Sequence, residues 1–275
     1  MSRQPTASWP VAKFTVGGDG GSARFEYEDA IAAESPFTFR VNGREFATIV
    51  CTPADLEDMA YGFLASEGVI RAAADVRRLD IDEDRGFIYA ELAGELPESA
   101  LADTSKRVIG SCCGKSRQFY LASDRATART STSRIRLTPA QCLSLLRQLQ
   151  ERSADFQATG GLHNAALCTP DALLAVRSDI GRHNALDKLL GASLLGKLNT
   201  RDLIVAFSGR LSSEVVLKAA KLGVGVLLSK SAPTDLALQL GHDLGITCVG
   251  FIRDGSLNVY THPERIVMQA SHDGV

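Results

Sequence analysis

The sequence predicts an α/β fold: a C-terminal domain on a mainly parallel sheet, preceded by a smaller α+β domain. Three observations carry this. Beyond residue 172, apolar strand-like runs at 172–176, 203–207, 224–228 and 246–252 are separated by helical stretches at 184–195, 213–222 and 234–244. Strands joined through helices of that length run parallel, with the helices covering the sheet. Upstream, residues 37–50 and 76–93 alternate apolar and polar side chains around one helical stretch, an α+β pattern. Between the halves, residues 122–137 hold little that could build a core, which marks a linker or flap. A chain of 275 residues has room for two modest domains.

Taken in order, residues 1–22 are polar and glycine-rich and read as a flexible tail. Domain boundaries follow at 23–121 for the N-terminal domain, ending in a cysteine loop, 122–137 for the linker, and 138–275 for an α/β cofactor-binding domain. Asn42-Gly43 marks a hairpin turn, because both residues tolerate the positive φ such turns need. Thr52-Pro53-Ala54-Asp55 opens a helix with threonine as N-cap, and Leu56, Met59, Ala60, Phe63 and Leu64 form its apolar stripe up to Gly68. Thr138-Pro139 starts a second helix carrying Leu143, Leu146 and Leu149. After the strand at 246–252, Asp254-Gly255 turns the chain into a last strand at 257–260.

The bulk numbers exclude several functions. An apolar fraction of 45% with 23% charged residues is that of an ordinary globular protein. A net charge of −2 gives no general attraction to nucleic acid or membrane, so an anion site must be local. No stretch approaches the roughly 20 apolar residues of a membrane span. The first residues carry no apolar leader, and six cysteines without one point to a reducing cytoplasm rather than a disulfide framework. Cys51, Cys142, Cys168 and Cys248 sit singly in apolar surroundings, as buried thiols do.

Cys112 and Cys113 differ. They stand in Gly110-Ser111-Cys112-Cys113-Gly114-Lys115-Ser116, where glycines leave the sulfur accessible and Lys115 and Arg117 favour a thiolate. Adjacent cysteines chelate a tetrahedral zinc poorly, and no second pair stands at ligand spacing, so no metal is expected. Nucleophilic sulfur is the best chemical reading.

Two strand-to-helix loops have the makings of phosphate cradles. Ser208-Gly209-Arg210 follows the strand at 203–207, and Ser229-Lys230-Ser231 follows that at 224–228. Each offers small residues, hydroxyls and one cation ahead of a helix N-terminus, where free amides and the helix dipole favour anions. A third junction, 178–188, includes Arg182 and His183; His183 and Asp187, and Asn184 and Lys188, are spaced to share helix faces. A structural ion-pair role competes with a functional one there, and His163 is open to both.

In this order the motifs resemble the formate dehydrogenase accessory sulfurtransferase family, the sulfur carriers of molybdenum-cofactor maturation. The resemblance runs from about Val41 to Ile266. It rests on Cys51-Thr52-Pro53, Gly62-Phe63-Leu64, Cys113-Gly114-Lys115, Thr159-Gly160-Gly161 with His163, Asp179 to Asn184 with Asp187-Lys188, Ser208-Gly209-Arg210 with Glu214, Gly250-Phe251 with Arg253, and Pro263-Glu264-Arg265. It implies a cytidine-deaminase-like C-terminal fold. It also implies a carrier that takes sulfur from a cysteine desulfurase as a persulfide on Cys113 or Cys112. The sulfur would pass to the bis-guanylate molybdenum cofactor needed by formate dehydrogenase. The alternative is a chaperone that binds the cofactor without sulfur transfer.

The cofactor-binding residues expected on this reading are Phe251, Ile252, Arg253, Asp254, Gly255 and Ser256, with Ser208, Gly209, Arg210, Ser229, Lys230, Ser231, Arg182 and His183. GDP is the expected mimic, and a homodimer is expected from the uncovered face of a large sheet. Gly110 stands where many members carry a first cysteine, and the residues do not rank Cys112 against Cys113. His163-Asn164-Ala165 lacks the glutamate of the deaminase His-x-Glu, so zinc-dependent deamination is not expected.

Overall fold

A computed structural model describes residues 4–18, 20–96, 108–109 and 128–268. The chain begins with an antiparallel ribbon, β1 (Thr6–Val16) and β2 (Ser22–Ala32). The expectation of a flexible tail over 1–22 is thus corrected. Its glycines are the turn of a hairpin, closed by Gly17 and Gly21, rather than the mark of a loose end.

A five-stranded sheet follows in the order β5-β6-β3-β4-β7. Its strands are β3 (Ser35–Val41), β4 (Arg44–Cys51), β5 (Val76–Asp82), β6 (Phe87–Leu92) and β7 (Val108–Ile109). The alternation in β3 buries Phe37, Phe39 and Val41, and Asn42 (φ 49°) and Gly43 (φ 79°) make the predicted hairpin turn. Helix α1 (Leu56–Ser66) lays its whole predicted stripe on this sheet. It is not capped by Thr52. Asp55 takes the cap position in a left-handed conformation, while Thr52 bonds to the C-terminal half.

The second sheet has six strands in the order β13-β12-β11-β10-β8-β9. They are β8 (His163–Cys168), β9 (Leu173–Asp179), β10 (Ile204–Phe207), β11 (Val226–Ser229), β12 (Thr247–Arg253) and β13 (Ser256–Val259). Helices α2 (Pro139–Glu151), α3 (Ala154–Thr159), α4 (Arg182–Leu195), α5 (Ser213–Leu222) and α6 (Asp235–Asp243) accompany it. Strand alternation sorts the core into two layers. Ala165, Leu167, Val205, Phe207 and Leu227 face α4, α5 and α6; Ala166, Cys168, Ile204, Ala206, Val226 and Leu228 face α2.

The α/β class is as predicted, and the mainly parallel sheet needs one amendment. β10, β11 and β12 are parallel, as their intervening helices require. The flanks are antiparallel, because β8–β9 and β12–β13 are tight hairpins and β8 runs against β10. The described part of the expected linker, 128–137, is no free connection. Ile135 and Leu137 are buried, Leu137 bonds to Arg265, and Ser133 bonds to Asp202.

The two halves are held by α1 against α4. A β-carbon on Gly62 would overlap the Asp187 carbonyl, and one on Gly191 would overlap that of Asp58, so glycine permits this close crossing.

Candidate functional site

The junction at 178–188 is where sequence reading left structure and function competing, and most of it is structural. Asp179, wholly buried, accepts from the backbone of Thr52 (3.0 Å) and Gly181 (2.8 Å), from Asn184 Nδ2 (2.9 Å) and from Lys188 Nζ (2.7 Å). Lys188 Nζ also donates to the carbonyls of Thr52 (3.1 Å) and Ser178 (3.2 Å). Asp187 turns the other way, to Lys218 and Ser66. Both pairs tie the N-terminal half to the C-terminal sheet.

His183 and Arg182 stand apart from that lattice. His183 Nε2 lies 2.8 Å from Glu214 Oε2 at the start of α5, and its Nδ1 is buried with no hydrogen-bond partner among the described residues. Burial pushes the imidazole below its usual value, against the opposing pull of Glu214. His163 stacks on Phe207 with ring centroids 6.5 Å apart, and burial, with the Arg182 charge beside it, lowers it too. Gly209 makes this approach possible, since a β-carbon there would stand 2.9 Å from the Phe207 ring and 3.4 Å from His163 Nδ1. Two histidines, a glutamate and an arginine thus gather at the carboxyl end of β10, where open α/β sheets bind ligands.

The two predicted cradles turn out to be laced together. Ser229 is wholly buried; its hydroxyl donates to the Gly209 carbonyl (2.7 Å) and accepts from Ser231 N–H (2.9 Å). Leu211 bonds to Ala232, and Thr234 to Leu211. Ser208 is engaged as well, its hydroxyl accepting from Asn164 N–H (2.9 Å). Ser208 and Ser229 therefore shape the loops, leaving Arg210 and Lys230 exposed as the loops' cations.

Lys230 lines a cavity among the described residues. A cleft of about 560 Å³ is lined by Lys230, Ile252, Arg253, Asp254 and Gly255 on one side and by α2 on the other, including Arg147 and Gln150. Lys230 Nζ donates to Gln150 Oε1 (2.9 Å) across it. The backbone beneath is unusual. Phe251 (φ 52°) adopts a left-handed conformation costly for a bulky residue, Asp254 (φ 52°) takes the one its hairpin turn needs, and the β12–β13 register shifts between Gly250 and Arg253. The shift leaves the Arg253 guanidinium 5.6 Å from the Phe251 ring centroid. Ile252 lines the cleft but is 2% exposed and belongs to the core.

So Lys230 and residues 252–255 are brought into one cleft, His183 and Arg182 into a second cluster, and Arg210 does not line the cleft. Sequence reading missed Arg147 and Gln150. The capping box that starts α2, Thr138 with Gln141, was legible, but its polar face carried no motif. It also missed the pairing of His183 with Glu214 on a separate helix.

Cys112 and Cys113, with Lys115 and Arg117, lie outside the described residues. The other four cysteines are free and buried, and burial pushes their thiols to about 12 (Cys51, Cys168) and about 11 (Cys142, Cys248). Such thiols are poor nucleophiles.

The model of the FdhD/NarQ family matches residues 32–267. The chain belongs to the FdhD/NarQ family. A relative from Geobacillus kaustophilus, named sulfur carrier protein FdhD, is 57% identical over 261 residues, covering 94% of this chain and 96% of the relative. One of the same name from Bacillus subtilis is 55% identical over 240 residues, covering 87% and 91%. A crystal structure from Desulfotalea psychrophila, described as that of a "putative formate dehydrogenase accessory protein", superposes with a TM-score of 0.75 at 27% identity, covering 94% of this chain and 99% of that one. Among the described residues, no helix of this FdhD/NarQ member is long and apolar enough to cross a membrane.

Proposed function

We propose that this chain is a sulfur carrier that bears sulfur as a persulfide on Cys113 or Cys112. A thiolate of the pair attacks the outer sulfur of a cysteine desulfurase's persulfide, the desulfurase thiolate leaves, and the sulfur stays on the carrier. The carrier passes it to the bis-guanylate molybdenum cofactor, whose maturation formate dehydrogenase requires. The relatives' name supports the carrier role.

The observation that carries the cofactor half is the cleft. Arg147, Lys230 and Arg253, from three different elements, line one cavity together with the single carboxylate of Asp254, and a diphosphate-bearing nucleotide suits that surplus of cations. The strained Phe251 supports it, since backbone strain persists where the surroundings enforce it, often at ligand sites. For the sulfur half, the four buried thiols leave Cys112 and Cys113 as the pair suited to nucleophilic chemistry.

The test is intact mass after incubation with a cysteine desulfurase and cysteine. The protein is expected to gain one sulfur mass per transfer, and the Cys112→Ala/Cys113→Ala variant none. An unchanged gain in the variant would remove the site assignment. If the variant restored formate dehydrogenase activity in cells lacking the protein, the carrier reading would give way to a cofactor-binding chaperone.

A further inference from the structure

His183 has the setting of a proton acceptor. It stands in the first turn of α4, and the glutamate that meets it stands in the first turn of α5, so the N-termini of the two helices come together there. A carboxylate can only accept, so the 2.8 Å approach of Glu214 Oε2 fixes the ring proton on Nε2 and leaves the lone pair on Nδ1. Nδ1 is buried with no partner among the described residues, and so is Ser212 Oγ at the cap of α5. Buried polar atoms are nearly always paired, so two at one helix junction mark a place built to meet another group. Glu214 and Lys218 face the imidazole from α5, Arg182 from its own helix, and His163, itself near Asp179, from β8. Burial, joined by the cations and opposed by Glu214, holds the ring below its usual value, so at pH 7 it is neutral and able to take a proton.

The fold brings this junction to where the chain departs for Cys112 and Cys113. β7 pairs in parallel with β4, Ile109 opposite Ile49. One residue past Ile49, the Val50 carbonyl accepts from Asn184 Nδ2 (3.0 Å), and Asn184 is the neighbour of His183. Thr52 bonds to Asp179 and Ile180, just ahead of α4. Cys112 and Cys113 lie outside the described residues, three and four positions after Ile109, about 10–14 Å of fully extended chain. Resting on the carrier reading above, we propose that His183, oriented by Glu214, is the acid–base catalyst of sulfur loading, with Glu214 as its positioning residue. Nucleophile, base and orienting group together are how weak nucleophiles are activated. Nδ1 takes the proton of the attacking thiol, and the thiolate attacks the outer sulfur of the desulfurase's persulfide. One S–S bond forms as the other breaks, and the proton passes from His183 to the departing desulfurase thiolate. One thiol and one persulfide are consumed and one of each is formed, so no oxidant is needed. Arg182 and the two helix N-termini favour the thiolate in transit.

The test is a single turnover with desulfurase loaded beforehand, the gain of one sulfur mass being timed between pH 6.5 and 9.5. Each variant is compared with the parent at the same pH, so the desulfurase's own dependence cancels. His183→Gln is expected to load at least about tenfold more slowly at pH 7. It should approach the parent rate by the top of the range, where a thiol of ordinary pKa, about 8.5, ionises unaided. Glu214→Gln loses less and converges in the same way. A loss caused only by disturbed structure would persist at every pH. A gap that does not close with pH therefore overturns the proposal, as does a His183→Gln protein that loads at the parent rate throughout. A parent that gains no sulfur at any pH removes the carrier reading itself, whereas the other two outcomes leave that reading standing.

Discussion

Lys188 Nζ lies 2.7 Å from Asp179 Oδ2, and neither side chain has any exposure to solvent. Asp179 is at the end of β9, Lys188 is on α4, and each also bonds to Thr52 in the N-terminal half. The pair therefore joins the two halves of the molecule. A buried pair tolerates loss of one partner badly, because the other is left charged and dry. Lys188→Met is expected to lower unfolding free energy by about 3–5 kcal/mol. Asp179→Asn should cost a similar amount, with the two changes together costing less than their sum. Denaturant unfolding of the four proteins checks this, and full additivity would mean that the pair does not act as a unit.

Gly62 and Gly191 make a second prediction whose sign runs against local propensity. Alanine is favoured over glycine inside a helix by about 1 kcal/mol, so each Gly→Ala change would stabilise an isolated helix. Here the added carbon meets backbone across the α1–α4 crossing. Backbone cannot rotate away as a side chain can, so the helices must part. Gly62→Ala and Gly191→Ala are each expected to destabilise by about 1–3 kcal/mol, read as a lowered thermal midpoint. A raised midpoint would mean that the crossing is loose.

These cases show why much of the fold was legible in the sequence while part of the site was not. The helices and the central strands of the C-terminal half lie close to where the alternation of apolar runs and helical stretches places them. Asn42-Gly43 makes the turn its residue types demand. The ribbon escaped notice because its apolar residues are exposed, so the usual inference from apolar residues to core did not apply. Thr52 looked like a helix cap because its local sequence is that of one; its hydroxyl instead accepts from Ile180 N–H and its own N–H donates to Asp179, both distant in the chain. Ser229 looked like a phosphate ligand and is buried under Gly209. Arg147 sits on a helix whose Thr138-Pro139 start and apolar stripe were legible, while its polar face carried no motif. In each miss, the deciding contact is one that tertiary packing alone creates.

The cleft predicts a graded response to GDP. A ligand that binds only the folded protein raises stability by about 2.7 kcal/mol at a hundred times its dissociation constant. Thermal midpoints should rise accordingly in the parent protein. Lys230→Ala and Arg147→Ala each remove a cation facing the cavity and are expected to weaken GDP binding by about 1.5–3 kcal/mol. Arg210→Ala removes an exposed cation that does not line the cleft and should weaken it less. Added salt should reduce the parent's response more than that of the Lys230→Ala/Arg147→Ala double variant. Equal binding by all variants would dissociate the cleft from the nucleotide.

His163 and His183 predict a loss of stability on mild acidification. Both are held below the usual imidazole value, chiefly by burial. In the unfolded chain they titrate near pH 6.5. As pH falls, the unfolded state therefore takes up protons before the folded state does. Stability is highest above that unfolded value and drains away as pH drops through it toward the lower folded values. Thermal midpoints measured between about pH 8 and pH 5 should fall over this window. His163→Gln and His183→Gln should each flatten the slope, and the double variant most of all. Glu214→Gln acts in the opposite sense. It removes the charge that holds His183 up, widens the gap between folded and unfolded values, and steepens the acid loss. A double histidine variant with the parent's slope would place the titration elsewhere, and the cluster at the end of β10 would no longer account for the protein's response to acid.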